Sequence, residues 1–243
     1  MASNSEKGHA INLANFKLII DRATGFGATY NPSNSSLTVV KMKGQLSAAN
    51  TAQGNLISSN KATKEPINER ELLFEPLDPL VTRVINYASS TNASKKLIAD
   101  AKGNADKIRG ASKKKPGKKT DSSDPLPEDG VSTSQQSYVQ RTDAFQQLIE
   151  LLKTVTDYSP NETDLTTASL DAYLTDLKTA NDSLGSLLTT AANKLIARNK
   201  LLYESETGII DTALKCKKYI KGLYGAKSAE YGLVSGIKFS RAK

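Results

Sequence analysis

Histidine and cysteine, the side chains that most often carry metal, acid–base or nucleophilic chemistry near neutral pH, occur once each in this 243-residue chain, as His9 and Cys216. A single histidine cannot build a multi-histidine metal site. A carboxylate di-metal centre of the bundle type needs Glu-x-x-His pairs on facing helices, and the sequence has none. Cys216 has no histidine near it in the sequence and stands in a lysine-rich helical run. It reads as a small buried apolar residue, a reactive thiol being the other reading. Gly25-Phe-Gly27-Ala lacks the third glycine and the following lysine or serine of a phosphate loop, and it follows a helical pattern rather than a strand. It reads as a turn with left-handed backbone. These absences predict a protein that is not an enzyme, with no cofactor, no metal and no small-molecule substrate.

Lysine is the remaining source of chemistry. Lys113, Lys114, Lys115, Lys118 and Lys119 could touch phosphates, but Asp121, Asp124, Glu128 and Asp129 follow at once and nearly cancel them, as in a solvated linker. Lys215, Lys217, Lys218, Lys221 and Lys227, with Tyr219 and Tyr224 among them, form the better candidate contact for an acidic partner. Lysines near a helix C-terminus also favour the helix dipole, so a local role stands beside that one. The net charge of +8 on so long a chain suits a solvated surface and selects no particular partner. No tryptophan and 6% aromatic residues argue against an aromatic-lined ligand pocket.

The elements that must position these residues are helices. Residues 110–136, GASKKKPGKKTDSSDPLPEDGVSTSQQ, hold five lysines, three prolines and four acids, too little apolar surface to fold, and read as a disordered linker. They separate a first helical repeat, residues 11–109, from a second, residues 137–243, with residues 1–10 as a flexible N-terminus. The repeats share three ordered anchors. Phe16-x-x-Ile-Ile matches Phe145-x-x-Leu-Ile. Tyr30-Asn-Pro-Ser-Asn-Ser-Ser-Leu37 matches Tyr158-Ser-Pro-Asn-Glu-Thr-Asp-Leu165 at an offset of 128. Ile67 to Glu75 matches Ile196 to Glu204 at 129, while Asn50, Gly54 and Leu56 match Asn181, Gly185 and Leu187 at 131, which leaves the middle register open.

In the second copy a spine helix of about 40 residues is expected from Pro160 to Tyr203. Its seam runs through Leu170, Leu174, Leu177, Leu184, Leu188, Ala191, Leu195 and Leu202, interrupted by Asn181 and Arg198, which read as lying near a gap open to water, with fixing of register or partner choice as the other reading. Shorter helices flank it, about Tyr138 to Thr156 and Thr207 to Leu223. In the first copy Pro66 should kink or break the spine, Pro76 and Pro79 fit the start of the next helix, and Ala93 to Ile108 fits a closing helix. Ser228 to Phe239 fits either a helix or an extended tail. The fold expected is all-α, an elongated helical bundle of two tandem three-helix units, each with a long central spine and the two sharing one core.

The strings ATGFGATYNPSNSSLTV, ARNKLLYESETGIIDTALKCKKYIKGLYGAKS and VSGIKF resemble an uncharacterised Bacteroidetes-type family of bacterial helical proteins, over nearly the whole chain. The resemblance implies a bacterial origin and a helical fold, and it brings no activity or site residues. Without a signal-like apolar run or a membrane-length segment, a cytoplasmic location is the default expectation, and export without a cleaved signal stays open. The function expected is that of a non-catalytic structural, scaffold or protein-interaction module, binding itself or another protein. Nucleic-acid binding through the basic C-terminal helix is the alternative, and a membrane-active or injected helical toxin is the third reading.

Overall fold

A computed structural model describes residues 8–110 and 137–241. The expected linker apart from Gly110, and most of the expected N-terminal tail, lie outside them. The described residues form nine α-helices and no strand: α1 (His9–Gly25), α2 (Val39–Ala62), α3 (Lys64–Phe74), α4 (Leu77–Ser90), α5 (Lys95–Arg109), α6 (Tyr138–Lys153), α7 (Thr167–Tyr203), α8 (Ile209–Tyr224) and α9 (Ala229–Ser235). The all-α class is as expected. Each copy has four helical segments rather than three: α1, α2 with α3, α4 and α5 in the first, and α6 to α9 in the second.

The first spine breaks at Thr63, between α2 and α3, three residues before Pro66. Proline offers no amide hydrogen, and its ring collides with the carbonyl four residues earlier, here Ala62, so the helix ends there. The second copy has no proline at that position, and α7 runs unbroken for 37 residues. It starts at Thr167, not at Pro160. Residues Thr163–Leu165 form a 3-10 turn instead, and the Thr166 hydroxyl accepts from the Ser169 amide at 3.2 Å as the cap of α7. Ser35–Leu37 and Thr38 do the same before α2.

The Tyr-x-Pro anchors are explained by one bond made twice. The Tyr30 hydroxyl donates to the Leu37 carbonyl at 2.8 Å, and Tyr158 donates to Leu165 at 2.9 Å. Each ring also stands edge-on to a tyrosine of the other copy, Tyr30 to Tyr219 with centroids 5.3 Å apart and Tyr158 to Tyr87 at 5.2 Å. Burial pushes the Tyr158 phenol up to about 12 and the Tyr30 phenol higher still. Tyr158→Phe keeps the ring but leaves a buried carbonyl without its donor. An expected loss of about 1–3 kcal/mol, read by urea unfolding, follows from that uncompensated group, with Tyr30→Phe behaving alike.

Burial also settles the middle register. Met42 and Leu170, Ala49 and Leu177, Leu56 and Leu184, and Thr63 and Ala191 are all buried, each pair 128 apart. The alternative pairing of Leu56 with Leu187 joins a buried residue to a half-buried one. Farther on, Phe74 and Tyr203, 129 apart, each meet a ring from the other copy, Tyr138 and His9 respectively. The one extra residue therefore falls within the stretch where the first spine is broken.

The described residues form two compact units, 8–62 with 187–241 and 63–110 with 137–186, and these are not the two sequence repeats. In the first unit α1 packs on α2 and α8, and α8 on α9, around Phe16, Ile19, Ile20, Met42, Leu202, Ile209 and Ile220. In the second, α5 packs on α4 and α6 around Leu77, Val81, Ile108, Phe145, Leu148 and Leu170. One shared core was expected; two exist, and each takes the opening helices of one copy and the closing helices of the other. Thr63 marks the exchange in the first copy, and within α7 it falls between Ser186 and Leu187.

Candidate functional site

The lysines of α8 divide by partner. Lys217 Nζ donates to the carbonyls of Ser235 and Ile237, at 2.8 Å each, and so caps α9 and fixes the chain after it. Burial lowers its pKa. Lys215 donates to the Glu206 carbonyl at 2.9 Å, holding the loop between α7 and α8. Lys221 lies over the Tyr231 ring at 5.7 Å, and Lys218, Lys221 and Lys227 are exposed. Three of the five expected contact residues are thus exposed and, among the described residues, hydrogen-bond to no backbone carbonyl, while Lys217 and Lys215 serve the fold.

Of the two forms the sequence allowed for the stretch from Ser228, the first part takes the helix. Ser228 caps α9, its hydroxyl accepting from the Tyr231 amide at 3.1 Å, and the chain beyond Gly236 is irregular. That tail is held by the buried Asn12 of α1, whose amide donates to the Ser240 carbonyl at 2.8 Å and accepts from the Ser240 nitrogen at 3.1 Å. Asn15 donates to the Lys238 carbonyl at 2.7 Å.

Cys216 is fully buried, its sulfur 3.1 Å from the Tyr30 hydroxyl. Burial pushes its thiol up, against the reach of the thiolate. Counting from the starts of α4 and α8, Cys216 stands where the first copy has Val84, itself buried. The position therefore needs a small apolar side chain. Cys216→Val keeps the apolar character but adds about one methyl group to a packed site, and is expected to cost about 1–3 kcal/mol; a thermal melt of the variant beside the parent checks it. His9, expected in a loose terminus, is the first residue of α1, and its Nδ1 is hydrogen-bonded to the Tyr203 hydroxyl. Burial, then the nearby Arg198 charge, lowers its pKa. Gly27 alone of the glycine pair has positive φ, +59°, and it follows the end of α1 as the turn reading requires.

The seam of α7 departs most from expectation. Leu170, Leu174, Leu177, Leu184, Ala191 and Leu202 are buried, but Leu188 is 48% and Leu195 40% exposed, and Ile196 beside them is 64% exposed. Arg198, expected near a water-filled gap, is only 5% exposed. Its Nε and Nη2 donate to the Asn199 side chain, at 3.1 and 2.8 Å, and Nη1 donates to Gln53 Oε1 at 3.2 Å. The buried line of α7 thus passes from Ala191 through Arg198 to Leu202. The 3-4 spacing named two adjacent lines, and only one of them faces the core. Asn181 donates to the Thr142 hydroxyl at 3.1 Å, while its own carbonyl oxygen is buried without a partner.

Among the described residues no group of three or more His, Cys, Asp or Glu side chains could hold a metal ion, and no helix is long and apolar enough to cross a membrane. The hollows are open clefts. One lies between α1 and α2, lined by Ala10, Leu13, Ala14, Lys17, Leu46, Asn50 and Gln53. Another, beside the Arg83–Asp164 ion pair, is lined by Pro76, Pro79, Leu80, Ser169 and Tyr173. The chain matches no family model, no curated protein and no solved structure.

Proposed function

We propose that the protein is a non-catalytic helical interaction module, and that it presents the second half of α7 to another protein that contributes an acidic amphipathic helix. The observation behind this reading is the exposure of Leu188, Leu195 and Ile196 at intervals of seven and eight residues, which places them on one stripe of the helix with exposed Ala192 between. Scattered apolar residues on a surface need no partner, but a stripe at the spacing of a helix seam fits a second helix. Charge gives the partner its sign. From Ser183 to Tyr203 the exposed charges are Lys194 and Lys200, and the stretch has no acid. A helix with leucines on one face and glutamates beside them would gain both apolar burial and charge complementarity. Lys218 and Lys221 of α8, and Lys227 in the turn after it, add to the positive surface of the same unit.

A labelled peptide of that design tests the reading by fluorescence anisotropy. Saturable binding is expected, weakened by added salt and reduced at least about tenfold by Leu195→Asp with Ile196→Asp, since burying a charge in place of two apolar anchors costs well above 1.4 kcal/mol. Binding that ignores those substitutions overturns the proposal. So does transfer of the protein to anionic vesicles with the peptide left free, or self-association through the same two residues. Nucleic-acid binding has thinner support, because Lys217 and Lys215 are engaged with carbonyls of their own chain.

A further inference from the structure

Arg198 is a buried cation surrounded by neutral groups. Among the described residues its guanidinium hydrogen-bonds to the side-chain amides of Asn199 and Gln53, and none of the ion pairs there includes it. Taking a guanidinium out of water without an opposite charge costs several kcal/mol, and protein interiors ordinarily supply that charge. Burial disfavours the charged form here, yet an arginine cannot shed its proton, so the deficit stays with the fold.

The first copy shows what a remedy within the chain looks like. Arg70 stands 128 residues before Arg198, one position off the 129 offset of the surrounding anchor, and its guanidinium carbon lies 3.9 Å from the centre of the Tyr138 ring, whose π-face attracts a cation. In the other unit the ring at Tyr138's place, 129 residues earlier, is His9. An imidazole offers a poorer π-face, and if protonated it would repel Arg198. The unit with the more buried arginine thus has the weaker compensation.

Beside this arginine is the cleft between α1 and α2. Its volume is about 340 Å³, within the size of small-ligand pockets, and Ala10, Leu13, Ala14 and Leu46 make most of its lining apolar. Gln53 belongs to both places: it lines the cleft, and its Oε1 accepts from Arg198 Nη1 at 3.2 Å. Arg198 does not itself line the cleft, so Gln53 is the side chain that stands between them and would have to change rotamer to join the two. Lys17, at the cleft's border, is already paired with Asp21 at 2.6 Å, so the uncommitted charge is that of Arg198.

We infer that this cleft binds a small organic acid, its aliphatic part against Leu13 and Leu46 and its carboxylate displacing the Gln53 carboxamide to pair with Arg198. Guanidinium and carboxylate match as planar two-point partners, which an amide oxygen cannot equal. The ligand would supply the missing charge and stabilise the first unit.

Isothermal titration calorimetry of the full chain with sodium hexanoate, acetate, inorganic phosphate and chloride at matched ionic strength decides the matter. Hexanoate should bind saturably at one site, at least about tenfold more tightly than acetate, because each buried methylene adds about 0.8 kcal/mol. Chloride should give no saturable heat. Gln53→Ala removes the competing acceptor and should tighten hexanoate binding. Arg198→Met should abolish it, and Arg83→Met, in the other unit, should leave it unchanged. If Arg198→Met fails to fold, the Gln53→Ala result and Arg198→Lys, which keeps the charge but loses the two-point geometry and should weaken binding at least about tenfold, carry the test. Absence of saturable hexanoate binding, phosphate binding as tight as hexanoate, or unchanged affinity in Gln53→Ala and Arg198→Lys would each overturn the inference.

Discussion

Severed after Lys119, the protein is expected to yield two fragments that are each largely unfolded, and that recover most of their helix when mixed one to one. Each core is built from both fragments. The first keeps Phe16, Ile20 and Met42 but loses Leu202, Ile209, Ala213, Cys216 and Ile220, which cover them; it keeps Leu77, Val81 and Ile108 but loses Phe145, Leu148 and Leu170. Isolated helices of 11 to 24 residues, as α1 to α5 are, have marginal stability in water and depend on packing of their apolar faces. Tandem repeats folding each on its own would predict the opposite, since each fragment contains one whole copy. Far-UV circular dichroism of the fragments alone and mixed separates the two outcomes, and cooperative thermal unfolding of either fragment by itself would contradict the exchanged arrangement.

Phe16→Ala and Phe145→Ala should be the most damaging single substitutions among these core positions. The two rings match across the copies, are fully buried, and stand in different clusters. Truncating a buried phenylalanine removes its transfer free energy and leaves a cavity, together costing about 3–5 kcal/mol. For a protein of this size that lowers the thermal midpoint by roughly 6–20 °C, a large share of a typical total stability of about 5–15 kcal/mol. Val139→Ala is the control: the side chain is exposed on the same helix as Phe145, and an effect within about 0.5 kcal/mol is expected. The double substitution Phe16→Ala with Phe145→Ala should add nearly completely, because the two share no neighbours. A loss at Phe145 no larger than that at Val139 would mean that the ring does not fill a close-packed interior.

Periodicity and anchors in the sequence determined the helical class, the duplication, the break before Pro66 and the placing of most helix ends to within a few residues. Those are local properties: the 3.6-residue turn, the fixed φ of proline and the hydroxyl caps act over a handful of residues. The onset of α7 was misjudged by seven residues because the Tyr158–Leu165 bond is made through space, and acidic residues after Pro160 resemble a first turn whether or not the chain coils there. Of the candidate site, the lysines of α8 were legible as charge but not as partners. Whether Lys217 faces a solute or the carbonyls of its own tail depends on where α9 and the tail return.

The larger decisions belong to tertiary structure alone. Nothing along the chain says that the opening helices of one copy pack with the closing helices of the other, since duplicated apolar faces fit their own partners and their twin's almost equally well. For the same reason Leu188, Leu195 and Ile196 could not be read as exposed, nor Arg198 as buried. Spacing along a helix tells which side chains share a stripe, and only the neighbour that comes to rest on it decides which stripe stays dry.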